Sequence, residues 1–264
     1  MRLRKCTSFA VSILSVSVLG VLSAGSAAAQ DGASESDNEW QYSAAVYLWG
    51  ADIGGRTTTG SSVEVGFSDI VDNLDGAFMG AFAARKGKWS LFTDAIYLDV
   101  AANSDVPIGP GPILTGNVSL DLTGKVFHLA GGYSLLTDEQ SRLDFIVGAR
   151  HLDLDTTLVA TVEGPGPLEP LPIVASASGN TMDLIVGVKG NIALGDRWFI
   201  PYYVDIGSGD SDSTWQAVAG VGFHAARWVD LELVYRHLEW SFDSSELVDS
   251  LEFSGPIFGA VFRF

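Results

Sequence analysis

The segment that decides the fold is Leu251 to Phe264, which reads L-E-F-S-G-P-I-F-G-A-V-F-R-F. Counted back in twos, Phe264, Phe262, Ala260 and Phe258 are all apolar. A period of two is the pattern of a β-strand with one apolar face. Chain ends are usually polar and poorly ordered. The sequence therefore predicts a strand here whose apolar face lies in an apolar environment.

The first 29 residues have the features of a cleaved secretory signal peptide. Arg2, Arg4 and Lys5 form a basic start, the apolar segment 9–22 follows, and the alanines at 27–29 offer a cleavage site. The apolar segment is too short to be read as a membrane-spanning helix. We therefore predict export, a polar leader over residues 30–39 and a single domain over residues 40–264.

The composition of the predicted domain limits its partners and its chemistry. Cleavage would remove three of the 15 basic residues and none of the 32 acidic residues. Such acidity argues against nucleic acid as a partner and is compatible with divalent cations at acidic loops. The single cysteine, Cys6, lies in the signal peptide. The domain therefore has neither a disulfide scaffold nor a thiol nucleophile.

The domain reads as ten candidate strands that are separated alternately by short turns and longer connections. Short turns are predicted near 85–88, 137–142, 195–197 and 225–227, and longer connections at about 52–75, 102–116, 155–178, 207–213 and 243–250. Alternation of apolar and polar residues is clearest in 181–194 and 228–240. These features predict an all-β fold, an up-and-down antiparallel transmembrane β-barrel of ten strands. Eight or twelve strands are the alternatives, depending on whether 61–67 is a strand.

Aromatic residues are placed as two girdles would be at the two membrane interfaces. The predicted girdle beside the short turns contains Trp40, Trp89, Trp198 and Trp228. The predicted girdle toward the longer connections contains Tyr97, Tyr203, Tyr235 and Trp240.

Charged residues recur at even spacings, which place them on one face of a strand. Pairs six residues apart are Asp144 and Arg150, Asp183 and Lys189, and Asp230 and Arg236, and Asp121 and Lys125 lie four apart. In antiparallel neighbours, Asp144 is expected near Lys189 and Arg150 near Asp183. We predict a lumen network of paired charges, because buried charges must be paired. A charged constriction in a narrow pore is the alternative.

A short helix is predicted in the segment 67–75. Ser68 can cap it, and Phe67, Ile70, Val71 and Leu74 form one apolar stripe at helical spacing. The helix could plug the barrel, or it could be an ordinary loop helix.

Sequence motifs for catalysis or metal binding are lacking. The loop 205–213 has aspartates at short intervals, but without the spacing of an EF-hand it is better interpreted as a solvated hairpin tip. His151 and His237 share the phase of the lipid-facing residues, which favours a place at the membrane interface. We predict no catalytic, cofactor or metal site, although a triad assembled across strands stays open.

The end of the chain resembles the closing strand of bacterial outer-membrane β-barrels, in which a terminal Phe follows apolar residues at alternate positions. The segments Y-L-W-G-A-D-I-G-G (47–55), F-S-D-I-V-D-N-L-D-G-A-F-M-G (67–80) and A-R-K-G-K-W (84–89) resemble a widespread family of small bacterial outer-membrane barrels without a settled activity. The resemblance implies the outer membrane of a Gram-negative bacterium, contact with its lipid, and recognition of the C-terminal strand by the outer-membrane assembly machinery. It implies barrel closure by Phe264, Phe262 and Phe258, and no particular substrate.

Two classes of function follow from the sequence. The first is a structural or narrow-pore barrel with a charge-paired lumen. The second is a rim enzyme acting on lipid, or a barrel that binds a ligand at its surface. A ten-stranded barrel is only slightly wider than one filled by its own side chains, so the passage of large solutes is not expected.

Overall fold

The computed structural model describes residues 39–57, 62–107, 115–138, 140–163, 171–242 and 248–264. The predicted signal peptide (1–29) and residues 30–38 of the predicted leader lie outside the described residues. Within those six ranges, no helix is long and apolar enough to span a membrane.

The described chain consists of twelve strands and one short helix. The strands are β1 (Gln41–Trp49), β2 (Asp52–Thr57), β3 (Ser62–Val65), β4 (Leu74–Lys86), β5 (Trp89–Pro107), β6 (Thr115–Thr137), β7 (Ser141–Glu163), β8 (Leu171–Ala193), β9 (Trp198–Gly209), β10 (Ser213–Ala226), β11 (Val229–Ser241) and β12 (Val248–Arg263). The helix α1 (Phe67–Asp72) lies between β3 and β4 in the chain.

Ten strands form a closed antiparallel ring, which confirms the predicted ten-stranded up-and-down barrel. Strands β4 to β12 pair in chain order, and β1 pairs with both β4 and β12. Strand β2 pairs with the first half of β12, and β3 pairs only with β2. Residues 62–65 are therefore a strand, but that strand lies outside the ring.

The closing seam of the ring joins the two strands that are farthest apart in sequence. β12 pairs with β1 from Ser43↔Arg263 to Trp49↔Ile257. Beyond this ladder, Phe264 and Tyr42 exchange two backbone hydrogen bonds of 3.0 Å each. Because every ring strand has two neighbours, the wall of a closed barrel satisfies its backbone polar groups internally, as a membrane requires.

The two faces of the wall differ as the alternation in sequence predicts. In β8, Met182, Leu184 and Val186 are exposed on the outer face, whereas Thr181 and Asp183 are buried inside. Apolar side chains are likewise exposed on the outer face of the other ring strands, for example Leu48 on β1 and Phe258 on β12. The barrel therefore shows lipid-compatible side chains outward and polar side chains inward.

The two ends of the barrel differ in their connections. One end, called the turn end below, holds the short connections β4–β5, β6–β7, β8–β9 and β10–β11, together with the start of β1 and the end of β12. The opposite end is called the loop end. At the turn end, Gly87 adopts φ +56°, a left-handed conformation that favours glycine in a tight turn.

The turn between β6 and β7 is organised by Asp138. Its Oδ1 accepts hydrogen bonds from the backbone N–H groups of Gln140 (2.9 Å) and Ser141 (2.6 Å). These hydrogen bonds favour the ionised form and so hold the pKa of the Asp138 carboxyl below its usual value. The bond from Gln140 has the largest effect.

The predicted long connections at 102–116 and 155–178 are wrong for most of their residues, because β5 to β8 continue through them. β6, β7 and β8 contain 23 residues each. A tilted membrane strand needs only about 9–11 residues. These strands therefore extend well beyond the membrane-spanning part at the loop end.

The aromatic residues of the predicted girdle beside the turns lie on the surface. Trp40, Trp89, Trp198 and Trp228 are all exposed near the turn end. The second predicted girdle needs correction. Trp240 is fully buried and Tyr203 hydrogen-bonds lumen groups, because both residues have the inward phase of their strands.

Candidate functional site

The lumen contains a buried network around Arg150 on β7. Arg150 donates hydrogen bonds to Thr214 Oγ1 (2.9 Å) and to the carboxylate of Asp205. Asp205 also accepts a hydrogen bond from the hydroxyl of Tyr203, which lies 3.3 Å from His128 Nε2. Arg150 and Asp205 are completely buried as side chains. The network therefore couples β6, β7, β9 and β10 across the interior.

A second network surrounds Arg236 on β11. Its Nη1 lies 2.7 Å from Asp94 Oδ2, and its Nε donates to Gln216 Oε1 at 2.9 Å. The Tyr47 hydroxyl donates to the same Asp94 carboxylate. The guanidinium also lies 4.7 Å from the centre of the Trp49 ring, in cation–π contact. This network couples β1, β5, β10 and β11.

Further ion pairs lie nearer the turn end. Arg85 donates to the carboxylate of Asp144 and to Ser134 Oγ (2.8 Å), and Ser134 Oγ donates to Asp144 Oδ1 (2.6 Å). The sequence predicts a turn at Arg85, but this residue is the second-to-last residue of β4 and has the inward phase.

The pair at the rim of the turn end joins β11 and β12. Arg263 donates to the carboxylate of Asp230, and His224 Nδ1 lies 2.7 Å from the same carboxylate. Asp230 is buried, whereas Arg263 and His224 are partly exposed.

Six of the residues predicted for the lumen network have the inward phase. The register places Asp144 opposite Lys189 and Arg150 opposite Asp183, which are the neighbours expected from the spacing. The ion pairs are different, however, because Arg150 reaches Asp205 and Asp144 is bound by Arg85. Asp183 accepts a hydrogen bond from the backbone N–H of Ser211 (3.0 Å). A strand register fixes neighbouring Cα positions, but a long guanidinium side chain can cross a narrow lumen.

The structure places Asp121 and Lys125 on the outer face of β6 rather than in the lumen. They share the phase of Phe127 and Leu129, which are exposed on the outside. Lys125 Nζ lies 3.2 Å from Asp153 Oδ2 on β7, in an exposed ion pair. Both strands continue past the membrane there, so charged residues on the outer face meet water instead of lipid.

A cluster of apolar side chains fills the lumen toward the loop end. It consists of Trp49, Ala51, Ile96, Val126, Leu152, Val234, Leu238, Trp240 and Ile257. Leu238 and Trp240 are fully buried. Eight of these residues come from β1, β5, β6, β7, β11 and β12, and Ala51 directly precedes β2, so the cluster joins β6 and β7 to β11 and β12 across the interior. It is called the apolar cluster below.

A cavity of about 710 Å³ occupies the lumen between the apolar cluster and the turn end. Arg263, Phe264 and Gln41 line its mouth, and Asp94, His128 and Arg236 line its inner part. Lys189 and Glu232 also line the cavity. Since one side is closed by packed side chains, the cavity is a blind pocket that opens at the turn end.

The segment predicted as a helix forms α1, but its apolar stripe is split. Ile70 is buried, whereas Phe67 and Val71 are exposed and Leu74 is the exposed first residue of β4. The backbone N–H of Phe67 donates to Asp52 Oδ1 at 2.8 Å. None of the four residues of the stripe lines the cavity or belongs to the apolar cluster.

A cross-strand group on the outer face of β11 and β12 was not anticipated from the sequence. His237 Nδ1 lies 2.8 Å from Ser254 Oγ, and His237 Nε2 lies 3.5 Å from Glu239 Oε2. Ser254 Oγ donates to Glu252 Oε1 at 2.6 Å. The Trp215 ring packs 4.3 Å from the imidazole and donates to Glu239 at 2.9 Å. A hydroxyl, an imidazole and a carboxylate are the groups of a hydrolytic triad, but here the hydroxyl donates to Glu252 and His237 Nε2 forms no hydrogen bond with a described residue.

The position of this group follows from the register between β11 and β12. His237 is opposite Ser254, and Glu239 is opposite Glu252. Below it, Tyr235, Leu233 and Phe258 are exposed apolar or aromatic residues. The group therefore lies where the outer face changes from apolar to polar, at the membrane interface. No sequence signal identifies it, because Ser254 and the histidine are on different strands.

The segment 205–213, predicted as a solvated hairpin tip, is a tip only at residues 210–212, because 205–209 are the end of β9 and Asp205 is buried in the lumen. Asp210 Oδ2 accepts the backbone N–H of Met182 (2.9 Å), so this carboxylate is engaged in the wall. Across the described ranges, no group of three or more His, Cys, Asp or Glu side chains could hold a metal ion.

A closed antiparallel barrel with an apolar outer face and a charge-paired interior is the architecture of transmembrane β-barrels. The chain is accordingly a ten-stranded barrel of the bacterial outer-membrane type.

Three solved structures illustrate the likeness, each covering most of both chains. They are the outer-membrane protease OmpT from Escherichia coli (10% identity, 87% of this chain and 98% of that chain, TM-score 0.49), Ail of Yersinia pestis (13% identity, 86% and 99%, TM-score 0.32) and the translocator domain of NalP from Neisseria meningitidis (16% identity, 87% and 90%, TM-score 0.38). At these scores the likeness carries no argument about activity. No protein-family model matches the sequence, and no curated protein matches it.

Proposed function

We propose that the chain is a structural outer-membrane barrel whose lumen does not conduct ions. The observation that supports this is the apolar cluster, which crosses the interior and contains the fully buried Leu238 and Trp240. Ion passage would require water among these side chains, and a packed apolar constriction excludes water. The completely buried pair Arg150–Asp205 lies in the same interior and also supports a lumen without water.

The proposed route to this location is export by the signal peptide 1–29, followed by insertion into the outer membrane of a Gram-negative bacterium. β12 would be the strand that the outer-membrane assembly machinery recognises, through Phe258, Phe262 and Phe264. The exposed apolar outer face would contact outer-membrane lipid. Acidic loops would attract divalent cations, which is a proposal from charge alone.

Planar-bilayer conductance of the refolded protein tests this function. We expect no ionic current from protein whose membrane insertion has been verified by flotation and by protease resistance. Reproducible ionic steps whose selectivity changes in Lys189→Glu, and not in the outer-face variant Lys125→Glu, would instead establish a narrow charged pore.

A rim enzyme acting on lipid is the second candidate, and the group Ser254, His237 and Glu239 favours it. The Ser254 hydroxyl, which donates to Glu252, would first turn to the imidazole in its Nε2-protonated form. Ser254 Oγ would then attack an ester carbonyl carbon while His237 Nδ1 accepts its proton, with Glu239 stabilising the imidazolium. The proton would pass to the leaving alcohol, and water would hydrolyse the acyl-serine to release the fatty acid. The site faces the membrane interface, where ester groups of lipids lie.

Fatty-acid release from phospholipid vesicles tests this second candidate. Release that is lost in Ser254→Ala and kept in the neighbouring variant Ser250→Ala supports it. Equal release by the wild type and by Ser254→Ala, or no release by either, would leave the cluster as a polar cross-strand contact.

A further inference from the structure

We propose that the blind cavity binds a small zwitterion, a molecule with one ammonium group, one carboxylate and an apolar or aromatic side group. The ligand would enter from the turn end and pair its carboxylate with Lys189 and its ammonium with Glu232. This goes beyond the proposed structural function, and it uses only the cavity and not the absence of conductance.

Lys189 is a cation in the cavity that forms no ion pair with a described residue, and the acids whose charge reaches it are Asp144 and Glu232. The register places Asp144 beside it, but Arg85 and Ser134 already bind that carboxylate. Among the described residues, no acid lies within ion-pair distance of Lys189 Nζ, whose contact is the Phe92 ring at 4.1 Å. A partly buried ammonium on an aromatic face still has donors available for an anion.

Glu232 is the complementary anion on β11. It is opposite Gly222 on one side and Gly259 on the other, so neither facing residue has a side chain of its own, and the Phe199 ring lies over Gly222. Glu232 forms no ion pair in the described part of the chain, and the cations that act on its carboxylate are Lys189 across the cavity and Arg263, which is bound to Asp230. Its carboxylate therefore faces the cavity opposite Lys189, at a separation too large for an ion pair.

The other charged pairs around the cavity satisfy each other. They are Arg85 with Asp144, Arg236 with Asp94, and Arg263 with Asp230. Buried or half-buried charges are normally paired, since leaving them unpaired is costly. Arg142, which also lines the cavity, has a contact of its own. Lys189 and Glu232 have opposite signs, face one space and attract each other across it without forming an ion pair. A ligand that carries both charges satisfies both, whereas a simple anion or cation leaves one of them unpaired.

The size and walls of the cavity fit such a ligand. About 710 Å³ is within the usual range of small-molecule sites, roughly 300–1,000 Å³. Phe92 packs against Lys189, and the Phe199 ring occupies the position where a side chain on Gly222 would lie, opposite Glu232. Each charge thus has an aromatic wall beside it, against which an apolar side group can pack.

The first test compares probes on the wild-type protein in detergent, by isothermal titration calorimetry. The probes are L-phenylalanine, 3-phenylpropionate, which lacks the ammonium, and phenethylamine, which lacks the carboxylate. We expect saturable binding of phenylalanine that is at least about tenfold tighter than binding of either single-charge analogue, because each lost charged contact has that order of effect. No saturable binding of phenylalanine, or equal binding of phenylpropionate, overturns the proposal.

The second test assigns the two charges. Lys189→Met should weaken phenylalanine and phenylpropionate by about tenfold or more and leave phenethylamine unchanged. Glu232→Gln should weaken phenylalanine and phenethylamine and leave phenylpropionate unchanged or tighter. The matched control Lys125→Met, on the outer face, should leave all three unchanged. Equal losses for all three probes in both cavity variants would contradict the assignment, and the wild-type comparison stands if a variant does not fold.

The same titration separates two sources of the ligand. A dipeptide, L-phenylalanyl-L-alanine, carries the same groups at a larger separation. Tighter binding of the dipeptide assigns the cavity to short peptides, and tighter binding of phenylalanine assigns it to free amino acids. Both results support a zwitterion site, and the absence of binding by both removes it. Conductance does not enter this measurement, so its outcome is independent of the proposed structural function.

Discussion

Deletion of residues 248–264 should abolish folding of the barrel altogether. β12 pairs with β11 along its length and with β1 and β2 on its other side. Without it, two strand edges expose their backbone N–H and C=O groups to lipid, and each unsatisfied group costs several kcal/mol there. The ring would close without it only if β1 paired with β11, and these two strands run in the same direction, whereas every ladder of the ring is antiparallel. The measurement is the mobility of unheated protein in SDS gels after refolding, together with protease resistance.

A matched control separates the strand from its last side chain. In Phe264→Ala the two backbone hydrogen bonds to Tyr42 are retained. This variant should therefore refold in detergent with unchanged heat-dependent mobility. If β12 is the recognised strand in cells, the same variant should insert more slowly in vivo. A truncated chain that inserts and resists protease would refute the role assigned to the closing seam.

Replacement of Arg150 by Met should lower the free energy of unfolding by about 3–5 kcal/mol, the usual cost of removing one partner of a buried ion pair. Arg150 and Asp205 are completely buried, and after the substitution only the Tyr203 hydroxyl would remain on that carboxylate. The lost bond to Thr214 adds to the effect. Urea unfolding of the protein in lipid vesicles measures it.

Two further variants identify the cause. Arg150→Met combined with Asp205→Leu should be more stable than Arg150→Met alone, because it removes the uncompensated carboxylate. Lys125→Met, which breaks the exposed pair with Asp153, should cost at most about 1 kcal/mol. A loss in Arg150→Met no larger than that in Lys125→Met would remove Arg150 from any structural network.

The barrel and the faces of its best strands are predictable from the sequence because alternation reflects a simple physical division between lipid and lumen. In β8 this division fixes the direction of Asp183 and Lys189 without knowledge of any other strand. It fails for Asp121 and Lys125, since an outward charge is tolerated where β6 leaves the membrane. The alternation of apolar and polar residues does not by itself show where along a strand the membrane boundary lies.

The contacts within the lumen are less predictable than the strands. Spacing anticipates the cross-strand neighbours of Asp144 and Arg150, yet Arg85 and Asp205 bind them instead. Which acid an arginine reaches depends on the width and shear of the barrel. The Ser254–His237 contact is equally hard to predict from the sequence. It depends on the register between β11 and β12, which the whole ladder between the two strands sets.

The unequal strand lengths give this barrel a tall side and a low side. At about 3.3 Å per residue, the 23-residue strands β6 to β8 run for about 75 Å, whereas the 12 to 14 residues of β9 to β11 run for about 40–45 Å. Beside β6 to β8, the part of the sheet that extends beyond the membrane would shield the nearby lipid headgroups from large molecules in the medium. Lipid headgroups beside β10 to β12 are not screened in this way, and His237 and Ser254 lie on that side. An enzyme, an antibody or a neighbouring membrane protein would therefore reach the lipid around this barrel more easily beside β10 to β12 than beside β6 to β8.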